Sequence, residues 1–189
     1  RVVEVEELPV GIDGDEAPAA AEAGNADPLR HVLLSVPGVE LVPPLCRNAD
    51  LTLNPGENQK LIRHIESGGV RILLYGGNAN LYHIAPSEYP HLLDLLEHSA
   101  ADNTLVVPSV GPAYGTQLDQ AATLKNRGFP TAMVLPTLFP HTGSGVQTAV
   151  RHFVEKAGIP VVLYMKNDGY LTAAEAAQLV DDGLVSFIK

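Results

Sequence analysis

Cysteine is nearly absent from the chain: Cys46 stands alone among 189 residues. No internal disulfide is available, so the fold does not depend on an oxidising compartment. Basic residues are scarce too, twelve Lys plus Arg against twenty-two Asp plus Glu, for a formal charge of -10. That balance leaves no cationic surface for a phosphate backbone and argues against DNA or RNA as a partner. Apolar runs such as residues 32–34 and 159–164 fall far short of the roughly 20 residues that cross a bilayer. No transmembrane helix and no membrane partner is expected. Glu4, Glu6 and Glu7 stand where a signal peptide needs a basic and then an apolar segment. A cytoplasmic protein is the expectation. What remains is 46% hydrophobic and 18% charged, the composition of a globular protein with a real core.

Charge is uneven along the chain, because residues 1–30 hold eight of the acids and only two of the bases. Their alanines favour helix, but Gly11, Gly14, Pro18, Gly24 and Pro28 interrupt every candidate longer than about two turns. Residues 1–37 therefore read as an acidic, mobile amino-terminal arm. From Gly38 the pattern changes to short apolar runs alternating with amphipathic stretches, separated by Gly, Pro and Asn clusters. This is how βα units read. Strands are predicted at 39–42, 71–75, 105–108, 131–135, 160–164 and 185–189, and helices at 55–67, 87–98, 115–127, 145–157 and 172–181. Asn54 before Pro55 predicts a helix cap, and Thr172 with Glu175 predicts a capping box. The regular spacing suits parallel strands joined by right-handed crossovers.

Two architectures fit six such units: an open doubly wound sheet and a (β/α)8 TIM barrel. A barrel usually needs about 250 residues. Residues 38–189 hold only the first six βα units, and the chain ends on Phe187-Ile188-Lys189 within a predicted strand. A barrel truncated at its carboxy terminus is the expectation. Barrel enzymes place their chemistry at the carboxy ends of strands, and three such ends stand out. The fifth strand ends in Tyr164, the sixth in Lys189, and the second runs into Tyr75-Gly76-Gly77-Asn78-Ala79-Asn80. A lysine after an apolar strand can be desolvated, which favours the neutral amine that attacks a carbonyl. A tyrosine beside it can move protons. Two glycines after a strand let backbone N–H groups approach a carboxylate closely, although the same pair also reads as a tight turn. Likewise, Tyr164 alone reads as a packing residue, and a strand-end lysine as a solvated charge.

These residues resemble the dihydrodipicolinate synthase and N-acetylneuraminate lyase family of Schiff-base-forming class I aldolase and dehydratase barrels. The resemblance spans residues 38–189. It rests on Leu163-Tyr164, on the lysine 25 positions later that closes a hydrophobic strand, and on the Gly-containing loop after the second strand. It implies an imine between Lys189 and the keto carbon of pyruvate or another 2-oxo acid, with Tyr164 as proton relay. The loop from Gly76 through Gly77 and Asn78 would hold the substrate carboxylate. Where the synthases carry Gly-Thr-Thr-Gly-Glu, this chain has Gly76-Gly77-Asn78-Ala79-Asn80, and Thr137-Leu138-Phe139 replaces their paired tyrosines. Met165-Lys166-Asn167-Asp168-Gly169 is closer to the Tyr-x-Arg-Asp-Asn stretch of the family's sugar-acid dehydratases, with Lys166 in place of arginine.

No histidine pair has metal-ligand spacing. His64, His91, His98 and His152 fall on helices and read as surface residues, whereas His83 and His141 fall in carboxy-face loops and are candidates for substrate contacts, His141 foremost. Cys46 reads as a small packing residue. The leading expectation is a lyase, aldolase or dehydratase, of a small-molecule 2-oxo acid such as pyruvate or a keto-deoxy sugar acid. It works through a lysine imine with neither metal nor organic cofactor, in a homo-oligomer, dimer or tetramer, as is common in the family. The competing expectation is a non-catalytic barrel that binds a small carboxylate as a sensor or scaffold.

Overall fold

The computed structural model describes residues 40–189; the acidic arm expected over residues 1–37 lies outside the described residues. Strands and helices alternate in the order β1 (Glu40–Leu41), α1 (Pro55–Ser67), β2 (Ile72–Tyr75), α2 (Tyr89–Ser99), β3 (Leu105–Val110), α3 (Tyr114–Leu124), β4 (Ala132–Val134), α4 (Gly143–Ala157), β5 (Val161–Leu163), α5 (Ala173–Asp181) and β6 (Val185–Ile188). All neighbouring strands are parallel, and their order in the sheet is their order in the chain. A doubly wound sheet reverses its strand order at a switch point. This sheet does not, and the fold is a partial (β/α)8 barrel of six units.

Local chemistry sets the helix starts. Asn54 Oδ1 accepts the Glu57 N–H at 3.0 Å, and Pro55 occupies the first helical position, where its missing N–H is no loss. Thr172 and Glu175 form the reciprocal capping box of α5, and the two hydrogen bonds that Glu175 accepts from Thr172, backbone first, hold its carboxyl below the usual range. Helix α2 begins at Tyr89, with Pro90 in its first turn.

All four residues of β2 are buried, as a parallel strand covered on both faces requires. Against the sheet pack Ile62 of α1, Leu92 and Leu96 of α2, Phe153 of α4 and Leu179 of α5, all fully buried. Each such side chain contributes about 1.5–3 kcal/mol relative to exposure. The four helix histidines are exposed, as is His83. Among the described residues no helix is long and apolar enough to cross a membrane, and no group of three or more His, Cys, Asp or Glu could hold a metal ion.

Candidate active site

The backbone sets the relation between the two principal candidates. The Lys189 N–H donates to the Leu163 carbonyl at 3.0 Å, and the Lys189 carbonyl accepts from the Met165 N–H at 2.8 Å. These bonds flank Tyr164, which is the pattern of a parallel pair. Tyr164 and Lys189 are therefore neighbours whose side chains leave the sheet on the same face. A bulge makes this so. Val161 faces Val185, but Val162 faces Phe187 and Leu163 faces Ile188, leaving Ser186 as the extra residue. An unbroken register would set Ile188 beside Tyr164; the single-residue slip brings Lys189 there instead. The buried Ser186 hydroxyl sits at the slip, donating to the Val161 carbonyl at 3.0 Å and lying 2.7 Å from the hydroxyl of Thr131.

The Lys189 amine forms an ion pair with Glu40 of β1. This contact joins β6 to β1, the two outermost strands of the described sheet. The lysine side chain is 20% exposed, sheltered but open to a ligand.

Two tyrosines that the strand-end pattern did not mark extend the site. Tyr82 sits in a short 3-10 turn, Leu81–His83, between β2 and α2. Burial raises the pKa of its phenol, and the field of Tyr164 raises it further. Tyr170, in the loop between β5 and α5, is buried and pushed up to about 12, by burial first and by Tyr82 second. His141 packs on Tyr170 with ring centroids 5.6 Å apart and donates from Nε2 to the Gly169 carbonyl at 3.2 Å. His141 therefore packs on the loop after β5, and no hydrogen bond or ring contact joins it to Tyr164 or Lys189 among the described residues. Carboxy-face loops are where the barrel rule looks for chemistry, and applying it to every tyrosine of the loops after β2 and β5 would have found both.

The buried phenols carry a pH signature. Tyr170 ionises near 10 when unfolded and near 12 when folded, so above pH 10 the unfolded state releases a proton that the folded state retains. The Tyr170 contribution to stability should be flat below pH 10, fall as pH rises from 10 to about 12, and then level. Tyr75 and Tyr89, also raised by burial, act in the same direction. Thermal unfolding measured across this window should show the decline, and Tyr170→Phe should make it shallower. An unchanged slope in that variant would mean the Tyr170 phenol ionises freely in the folded protein.

The glycine pair divides. A Cβ on Gly76 would lie 2.4 Å from Met133 Cε and 3.0 Å from Ser109 Oγ, so the side chains of β3 and β4 occupy that space. Gly77 has room for a Cβ, with Tyr82 Cε2 at 4.0 Å. The carbonyls of Gly76 and Gly77 accept from Leu81 and Asn80, which closes the turn and presents Tyr82. Asn78 is exposed, and its amide donates to the Val42 carbonyl at 3.1 Å, tying the loop after β2 to the segment after β1. Beside the site, a cleft of about 960 Å³ runs between α3, α4 and the loop after β4, lined by Tyr114, Gln117, Thr137, Thr148, His141 and Tyr170 among others. Lys189 and Tyr164 do not line it.

No family model and no curated protein matches the sequence. Solved structures do match the fold. The dihydrodipicolinate synthase of Bacillus clausii is 18% identical with a TM-score of 0.70, over 79% of this chain and 51% of that one. The N-acetylneuraminate lyase of Fusobacterium nucleatum is 15% identical with a TM-score of 0.71, over 80% and 54%. A prophage protein of the dihydrodipicolinic acid synthase family from E. coli, solved in complex with pyruvate, is 16% identical with a TM-score of 0.68, over 78% and 52%. The described residues therefore have the fold of the dihydrodipicolinate synthase and N-acetylneuraminate lyase barrels, and the chain spans about half the length of those proteins.

Proposed function

We propose that the protein is a lyase, an aldolase or dehydratase, that acts on a 2-oxo acid through an imine at Lys189. The observation that carries this reading is the pairing of Tyr164 and Lys189 on one face at the carboxy ends of β5 and β6. An amine there can add to the keto carbon, and the resulting protonated imine is the electron sink. It stabilises the enamine formed when a C–C bond breaks or an α-proton leaves, which is why the chemistry calls for no metal or organic cofactor. Tyr164 supplies or removes protons beside it. Gly76 and Gly77 shape the loop that meets the substrate carboxylate, and His141 contributes from the far side of Tyr170. Asn78 has its amide on Val42, so it acts by fixing that loop unless substrate draws the amide away. Pyruvate and keto-deoxy sugar acids are the substrates to test first.

Self-association belongs to the same reading. Phe139 and Leu138, 88% and 71% exposed after β4, are apolar surface that a second copy would cover in a dimer or tetramer. A second reading, a carboxylate-binding barrel without catalysis, draws on the engaged Asn78 amide and the absence of threonine hydroxyls at residues 77–78.

Borohydride reduction separates the two readings. The full-length protein incubated with pyruvate, and separately with a 2-keto-3-deoxy sugar acid, should gain the mass of one reduced adduct on the peptide containing Lys189. Binding of either compound with no adduct would defeat the lyase and leave the binder.

A further inference from the structure

Strand β1 is a place for apolar residues, yet the sequence there reads Val39-Glu40-Leu41-Val42. Glu40 is the charged residue of that run, and its partner is Lys189: Glu40 Oε1 is the carboxylate atom within ion-pair reach of the amine, and no other salt bridge to Lys189 occurs among the described residues. The Glu40 side chain is 41% exposed and the Lys189 side chain 20%. The contact is thus partly open to solvent. Tyr164, at the end of β5, is the backbone neighbour of Lys189 on the same face.

Resting on the imine reading above, we propose that Glu40 is the acid–base partner of the Lys189 nitrogen, a role distinct from that of Tyr164. The ammonium of Lys189 passes one proton to the Glu40 carboxylate, leaving a neutral amine and a carboxylic acid. The nitrogen lone pair adds to the keto carbon, the carbonyl π pair moves to oxygen, and a proton moves from nitrogen to that oxygen, giving a carbinolamine. Glu40 then returns its proton to the carbinolamine hydroxyl as the C–O bond breaks. Water leaves, the nitrogen pair forms the C=N bond, and the protonated imine stands beside a regenerated carboxylate. Protons and charge balance with water as the sole by-product. A fixed carboxylate in contact with the nitrogen does this without waiting for solvent.

The test measures adduct growth at Lys189 by mass in the full-length protein, with cyanoborohydride and pyruvate or the keto-deoxy sugar acid. Glu40→Gln keeps the shape and removes the base, and trapping should slow by about 10²-fold. Glu40→Asp should recover part of that loss. Glu40→Ala opens space beside the amine, and added formate should restore its rate in a saturable way, a response that a merely structural role would not give. Melting temperatures read alongside show whether each variant is folded, and the Asp and formate arms carry the test should Glu40→Gln not fold. Trapping by Glu40→Gln at the unmodified rate or faster would overturn the proposal, and faster trapping would mark Glu40 as a latch on the ammonium. A Glu40→Ala variant unmoved by formate would overturn it too. An unmodified protein that forms no adduct would sink the imine reading and this one together, whereas one that traps normally beside an equally fast Glu40→Gln would sink only the role of Glu40.

Discussion

Replacing Lys189 by alanine should abolish both adduct formation and turnover. The strand register does not depend on this side chain, because Lys189 is held to β5 by its own N–H and carbonyl, through Leu163 and Met165. The variant therefore keeps its backbone pairing and loses the amine with its aliphatic stem, and with them the ion pair to Glu40. Lys189→Arg sharpens the comparison. It retains a cation for Glu40 while its guanidinium, which stays protonated, forms no imine. Both variants should be inactive, and neither should gain mass with pyruvate or a keto-deoxy sugar acid under borohydride. Lys166, exposed in the loop after β5, is the nearest lysine in sequence that could stand in. An adduct that moves to Lys166 would identify the wrong nucleophile. Turnover surviving in Lys189→Ala without any adduct would end the imine mechanism and leave the barrel resemblance as one of fold alone.

The alternation of strands and helices was legible because each unit obeys simple local rules. Leu61, Ile62 and Ile65 share one face of α1, and Asn54-Pro55 opens it. Thr172 and Glu175 close a capping box that needs no tertiary contact to be recognised. The doubly wound alternative was excluded only by strand order, a property of long-range pairing that local periodicity does not carry.

The site was legible in part, and the boundary is physical. Tyr164 and Lys189 were marked by their positions at strand ends. That they are neighbours depends on a bulge at Ser186, and a sequence read in strict alternation has no means of locating one extra residue. The ion pair of Glu40 with Lys189 joins residues 149 positions apart. Its signal was present nonetheless, as an acid inside an apolar strand. Tyr82 was hidden by the turn that presents it, because the short 3-10 segment after Gly76-Gly77 has no apolar period to reveal it.

Tyr164→Phe should separate proton movement from imine formation. The phenylalanine ring preserves the packing of a partly buried side chain at the end of β5 and deletes only the hydroxyl. With Lys189 and Glu40 intact, the variant should still form the borohydride-trapped adduct. Turnover should fall by roughly 10²- to 10⁴-fold, the range for losing one positioned proton-transfer group. The ratio of the two effects separates the roles. Glu40→Gln should slow the adduct itself, whereas Tyr164→Phe should leave the adduct and slow the proton transfers after imine formation. If Tyr164→Phe turns over at the unmodified rate, the relay assignment fails and Tyr82 is the next residue to replace, since its phenol lies within the field of Tyr164 and on the loop after β2. If Tyr164→Phe loses the adduct as well, the hydroxyl acts before the imine forms, and the division of labour between β1 and β5 would have to be redrawn with Tyr164 serving the nitrogen.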